Sequence, residues 1–459
     1  MCAEETSGSQ RDIEQLNFDR LPKSIEILDR AKKVLLSPTV TGPFRAPKAV
    51  AFIKEARGSK VWDEDGNEYV DITMAYGPLI LGHSHPVATE AIRQACDKGT
   101  VYCIAHEPEV KMAEIMVDAI PCAERVTFAN SGTEATMHAL RIARACMGKD
   151  KIAKFEGGYH GVHDYALVSS IIAEPLGPLE DPMSVPDNPG TPQGAVDNVI
   201  TLSFNTPESL DKIRKFKDEL AAVIIEPVPS SYLVDMREFL QQLRDVTREC
   251  GVLLIFDEVI TGFRLAYGGA QTYFGITPDM ATYGKVIGGG LPVGAVAGTI
   301  EAMKPLITTG DSMRDFQEKL LTIGTFSGNP LTMTVGAAVL EHLRDNPQIY
   351  DHMRGLADKI KAEVHNFAEA NNFDLRLIGL ESWFIPHFVP AYPKTPRDLR
   401  DIADLLRQEI LCQYMRYHGV YLPDLHTVFM SAVHSEEDAD KIIDAFKKSL
   451  VQMREDGHL

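Results

Sequence analysis

Val252-Leu253-Leu254-Ile255-Phe256 is a run of five apolar residues without polar alternation, and a pair of carboxylates, Asp257-Glu258, follows it directly. A strand with one face in water alternates apolar and polar residues. A strand without that alternation is buried on both faces, as in a mostly parallel sheet covered by helices above and below. Other short β-rich runs at 125–128, 151–155 and 222–225 follow stretches of helical spacing at 87–96 and 109–120, and helical patterns lie between several of them. Strands alternating with helices predict an α/β fold with a mostly parallel sheet.

At 459 residues the chain is too long for one core, since single cores stop growing at about 250–300 residues. We expect a large domain over 65–335 and a smaller α+β domain assembled from both termini, 1–64 and 336–459. Strands are expected over 49–72, around the turn Asp65-Gly66-Asn67, and a helix over 25–36. After residue 335 helical patterns dominate (333–344, 349–370, 396–417, 436–453), interrupted by β-rich stretches at 377–389 and 428–432. The segment 173–198 is crowded with Pro, Gly, Asp and Asn and is predicted irregular, either disordered or a lid.

The net charge is −19, from 46 basic against 65 acidic side chains. Such a chain repels polyanions, so no nucleic acid and no anionic membrane is expected as partner. Seven scattered cysteines without a CxxC pair read as reduced thiols of a cytoplasmic protein. The N-terminal residues are polar and lack the apolar segment of a secretory signal. No apolar run approaches the roughly 18 residues that span a bilayer.

Four local signals carry chemistry. In Phe128-Ala129-Asn130-Ser131-Gly132-Thr133-Glu134 a strand gives way to a helix whose S-x-x-E start predicts a capping box, and whose free N–H groups would attract a phosphate. Alone it reads first as an ordinary capped helix. Asp257 ends the buried strand, where carboxyl ends of parallel strands face a ligand crevice; alone it is equally a capping or metal-binding acid. Lys285 sits in Tyr283-Gly284-Lys285-Val286-Ile287-Gly288-Gly289-Gly290, an apolar, glycine-rich turn that would desolvate its amine and favour attack on an aldehyde. Alone it is equally a solvated loop lysine. Tyr159, between glycines in Gly157-Gly158-Tyr159-His160-Gly161, could lie flat on another ring. His83, His85, His160 and His163 invite a zinc site, but no carboxylate or cysteine completes a ligand set at the usual spacing, so no metal is expected.

Taken in order, these motifs resemble those of class III, fold type I aminotransferases that use pyridoxal 5′-phosphate (PLP), most of all their glutamate semialdehyde aminomutase branch. The likeness runs from about residue 25 to 451 and is most specific at VWDEDGNEYVD (61–71), GPLILGHSHP (77–86), NSGTEAT (130–136), KFEGGYHG (154–161), IFDEVITGFR (255–264), GKVIGGGLPVGA (284–295) and GTFSGNPLTM (324–333). It implies that Lys285 carries PLP as a Schiff base and Asp257 pairs the pyridine nitrogen, the ring lying between Tyr159 and Val259. Ser131, Gly132 and Thr133 would hold the phosphate, with Glu226 nearby. Thr325 would reach the phosphate of a neighbouring subunit, which implies a homodimer with shared active sites. Arg45 would hold a substrate carboxylate, and Tyr76, Ser231 and His426 would line the substrate space. Three of these positions depart from the aminomutase branch, which has tryptophan, asparagine and glutamate in place of Tyr76, Ser231 and His426, and 308–321 is an insertion. The departures surround the substrate rather than the cofactor. The expectation is therefore a ping-pong aminotransferase acting on a small amino donor and a carbonyl acceptor, with the 2,1-aminomutase as the alternative. A decarboxylase or epimerase would use the same lysine; a non-catalytic binding protein would have lost it.

Overall fold

The computed structural model describes residues 13–36, 50–171, 173–422 and 427–459. Strands β1 (Ile53–Arg57), β2 (Lys60–Asp63) and β3 (Glu68–Asp71) form an antiparallel meander. Its second turn is closed by Asp63, which accepts from the backbone N–H of Asp65 (3.0 Å) and Asn67 (2.8 Å). β3 thus shares a sheet with β1 and β2.

The central sheet has seven strands: β4 (Arg125–Ala129), β5 (Lys151–Phe155), β6 (Val199–Leu202), β7 (Leu220–Ile225), β8 (Leu253–Asp257), β9 (Met280–Gly284) and β10 (Gly294–Gly298). Their order is β4-β10-β9-β8-β7-β5-β6; β5 to β9 run parallel, and β10 is antiparallel to both its neighbours. The absence of alternation has a direct cause. In β7, Ala222 and Ile224 pack with Ala135, Ala139 and Ile142 of the helix Gly132–Met147. Val223 and Ile225 point the other way, into the cluster that holds Phe239, Leu240 and Leu243 of the helix Arg237–Cys250. Both faces need apolar residues, so every position is apolar.

Strands β11 (Leu375–Leu380), β12 (Trp383–Phe388) and β14 (Val428–Phe429) form a third, antiparallel sheet, while β13 (Val420–Tyr421) pairs in parallel with β3 and ties the C-terminal part to the N-terminal meander. The single helix expected over 396–417 is two, Pro396–Ile402 and Leu405–Tyr417. Ala403 is extended, and Asp404 caps the second helix by accepting from Arg407 N at 2.9 Å. The insertion holds a short helix, Ser312–Glu318, capped by Asp311. Within 173–198 the one regular element among the described residues is Gln193–Val196. Arg400 and Arg397 tether this loop to the helix Pro396–Ile402 through the carbonyls of Ala173 (2.6 Å) and Gly177 (2.8 Å).

Candidate active site

Strands β4, β5, β7, β8 and β9 end at one edge of the sheet, and the residues following each are the ones the motifs single out. After β4, Ser131 caps the helix Gly132–Met147 by accepting from Glu134 N at 3.1 Å. The reciprocal half of the expected capping box is not made. The Glu134 carboxylate reaches one residue further, to Asn130, accepting from its backbone N–H (2.7 Å) and side-chain amide (3.1 Å). Ser131, Gly132 and Thr133 remain partly exposed at the end of a 16-residue helix, where N–H groups and the helix dipole favour an anion.

Asp257 ends β8, with its side chain 4% exposed. One carboxylate oxygen accepts from Val259 N (3.2 Å) and the Thr282 hydroxyl (2.9 Å); the other lies 2.7 Å from His160 Nδ1. His160 Nε2 has no hydrogen-bond partner. The adjacent Glu258 points into the protein instead, accepts from Thr261 and Gln271, and is pushed up to about 7 by burial. Glu226, after β7, is buried and accepts from Tyr159 N (2.8 Å) and Ser230 N (3.1 Å); burial raises it above the usual carboxylate range. Tyr159 itself is exposed.

Lys285 follows β9 with a left-handed backbone, φ 49°, a strained conformation for a side-chain-bearing residue that collects at functional sites. Its amine is enclosed. Burial drives it down to about 8, Arg264 adds to the lowering, and Glu226 and Asp257 oppose it. Val259 packs so closely on Gly132 that a Cβ there would lie 2.8 Å from Val259 Cγ1; a Cβ on Gly161 would lie 2.5 Å from Thr133 Oγ1.

Tyr76 is partly exposed, and the Ser231 hydroxyl donates to the Gly157 carbonyl at 3.1 Å. Thr325 is exposed, with its carbonyl 3.6 Å from Cys103 Sγ. Arg45 and His426 lie outside the described residues. The four histidines go separate ways: His83 pairs with Asp71 at 2.7 Å, His85 packs near His342, His160 meets Asp257, and the half-buried His163 has no partner on either enclosed ring nitrogen. Among the described residues no three His, Cys, Asp or Glu side chains gather to hold a metal ion. Sequence reasoning missed two partners of Asp257. His160 had a usable signal in its place beside Tyr159; Thr282, inside an apolar strand, had none.

A buried amine near neutrality, a carboxylate fixed by three donors, a hydroxyl-bearing helix N-terminus and glycines that admit close packing fit PLP, which brings an aldehyde, a pyridine nitrogen and a phosphate. Residues 43–450 match the family Aminotransferase class-III. The chain is 39% identical to glutamate-1-semialdehyde 2,1-aminomutase 1 of Staphylococcus carnosus, over 93% of this chain and 97% of that one. It superposes on an omega-transaminase from Sphaerobacter thermophilus with a TM-score of 0.87 at 32% identity, covering 94% and 98% of the two chains. A transaminase with PLP bound gives a TM-score of 0.85 at 30% identity, covering 95% and 99%. The fold is that of the fold type I PLP transferases, and the chain belongs to the class-III aminotransferase family.

Proposed function

We propose that this protein is an aminotransferase that moves an amino group between an amine or amino acid and a keto acid or aldehyde in two half-reactions. The cofactor is PLP: the donor set fits it, and the family's solved structures include a transaminase holding it. When bound, PLP supplies an aldehyde that condenses with amines and a ring that accepts electron density. Lys285 supplies the amine that anchors the aldehyde carbon and, once released, carries a proton to and from the substrate carbon. Its lowered basicity keeps a useful fraction unprotonated near neutral pH. Asp257, held by His160, Thr282 and the Val259 N–H, keeps a proton on the pyridine nitrogen. Glu226 fixes the backbone at Tyr159 and so the ring that stacks there. Arg45, Tyr76, Ser231 and His426 are proposed to face the substrate.

The observation that carries the two-substrate reading is Ser231. Where the aminomutase pattern has an asparagine, this side chain is turned back onto the Gly157 carbonyl and offers the substrate no amide. A 2,1-aminomutase is the second reading. The curated relatives at 38–39% identity over more than nine-tenths of the chain bear that name, and the comparisons weigh toward it more than toward the first. Glutamate semialdehyde alone separates the two. Without an added acceptor, an aminotransferase would release no more than one equivalent of product per site. Sustained release of 5-aminolevulinate would establish the mutase and sink the two-substrate reading.

The proposal extends to a cytoplasmic homodimer with shared sites. Apolar Ile104, Ile323 and Phe326 are exposed on two segments that meet where Cys103 touches Thr325, a surface that a second copy would cover. No helix among the described residues is long and apolar enough to cross a membrane. The domain division at 64/65 and 335/336 is likewise proposed.

A further inference from the structure

Met74, Ala75, Tyr76 and Gly77 are four consecutive residues with left-handed backbone, φ 45°, 54°, 63° and 108°. Three carry a Cβ, and each such residue costs about 1–2 kcal/mol unless its surroundings hold it. The turn closes on itself through Tyr76 N to Thr73 O (2.9 Å), Gly77 N to Met74 O (3.0 Å) and Ala75 N to the Thr73 hydroxyl (3.3 Å). What presses on it is the C-terminal segment: Phe429 N donates to Ile72 O (2.9 Å) and Ala432 N to Ile80 O (2.8 Å), one on each side of the turn. The Phe429 ring and the Lys285 stem both face Gly77, so that a Cβ there would lie 3.5 Å from Phe429 and 3.8 Å from Lys285 Cδ.

Arg264 joins these parts. It is 1% exposed, and its guanidinium lies 5.0 Å above the Phe429 ring. It donates to the Gly77 carbonyl at 2.6 Å and to the Met430 carbonyl at 3.2 Å, while its Nε has no partner. Among the described residues it makes no ion pair, so a full charge is buried against two carbonyl dipoles and an aromatic face. A buried charge so weakly compensated is costly, and a leucine or methionine could fill the space. The strained turn, the substrate-side Tyr76 and the Lys285 stem meet at the point where it donates.

We propose that Arg264 is a positioning residue of the amino-transfer site: it clamps the 74–77 turn to the C-terminal segment so that Tyr76 and the Lys285 stem keep their places. This rests on Lys285 being the cofactor lysine. Its charge also acts on Lys285, whose amine is faced by Glu226 and Asp257 as acids and by Arg264 as the opposing cation; Tyr350 is the titratable neighbour of Arg264 itself.

Two variants test this, Arg264→Met and Arg264→Lys, in the full-length protein. Three quantities are measured: hydrogen exchange of peptides covering 72–80, the pH midpoint of Lys285 modification in the cofactor-free protein by trinitrobenzenesulfonate, and KM and kcat of the loaded enzyme. In Arg264→Met, exchange should quicken at least about tenfold, the Lys285 midpoint should move up, and KM should rise by about tenfold or more, the scale of a small misplacement, with PLP still bound. In Arg264→Lys the charge remains and the fork is lost, so the midpoint should return toward wild type while exchange and KM stay raised. Wild-type exchange and midpoint in Arg264→Met would overturn the proposal, and loss of the fold in both variants would reduce Arg264 to a structural role. Failure of the underlying reading is seen separately, as PLP bound through a lysine other than Lys285.

Discussion

His160 Nδ1 and Asp257 Oδ2, 97 residues apart in sequence, lie 2.7 Å apart, and both side chains are almost wholly buried. The contact joins the loop after β5 to the end of β8, so the residue beside Tyr159 also orients the acid proposed to serve the pyridine nitrogen. Asp257→Asn keeps the shape and removes the charge; we predict a fall in kcat of at least about a hundredfold, as for other electrostatic deletions in enclosed sites. His160→Phe, which leaves Thr282 and Val259 as donors, should cost less, about tenfold. Equal activity of Asp257→Asn and wild type with PLP bound would show that another group serves the nitrogen.

Lys285→Ala should abolish turnover, and borohydride should fix the cofactor covalently on Lys285 of the wild type. The amine is lowered to about 8, so it is mostly protonated below that pH and free above it. Capture of an aldehyde by the cofactor-free protein should therefore accelerate as pH rises toward about 8 and level off beyond. A rate still climbing steeply above pH 10 would mean an ordinary, solvated lysine.

Gly132→Ala places a methyl group 2.8 Å from Val259 Cγ1. Overpacking of this kind costs about 1–3 kcal/mol, here at the contact between the proposed phosphate-binding turn and the wall of the proposed ring site. PLP affinity, followed by fluorescence titration, should fall about tenfold or more. Gly132→Ala with Val259→Ala should recover most of it; no recovery would place the damage in the backbone instead.

Both ring nitrogens of His163 are buried without a hydrogen-bond partner, and the desolvation lowers it to about 4. Below the ordinary value of 6.5 the unfolded chain takes up a proton that the folded chain refuses. Stability therefore falls as pH drops from about 6.5 to about 4, by up to about 1.4 kcal/mol per pH unit for this group. His163→Leu should lose about 2–3 kcal/mol less than wild type between pH 7 and 4.5 in urea unfolding. An unchanged difference would show that His163 finds a partner when protonated.

The α/β class, the strand cores and the lysine, aspartate and helix N-terminus of the candidate site were legible in the amino-acid order, because each depends on a few neighbouring residues. An unalternated run needs two covered faces, and a carboxylate at its end must sit at a sheet edge. The helix break at Ala403-Asp404 was not legible, since its residues suit a helix and only packing and the Asp404 cap stop it. Nor were the donors to the Glu134 carboxylate, which depend on where Asn130 falls. The distant partners of Asp257 come from the loop after β5 and from β9, and those of Arg264 from residues 187 and 166 positions away; no local pattern records such distances. Sequence alone determined which chemical groups are available and which elements carry them. Tertiary structure alone decided that Asp257 faces the site while Glu258 faces the core, and that a buried arginine holds the strained turn beside Lys285. Burial and hydrogen-bond satisfaction are properties of the packed molecule, set by groups that the chain brings together only when the sheet closes.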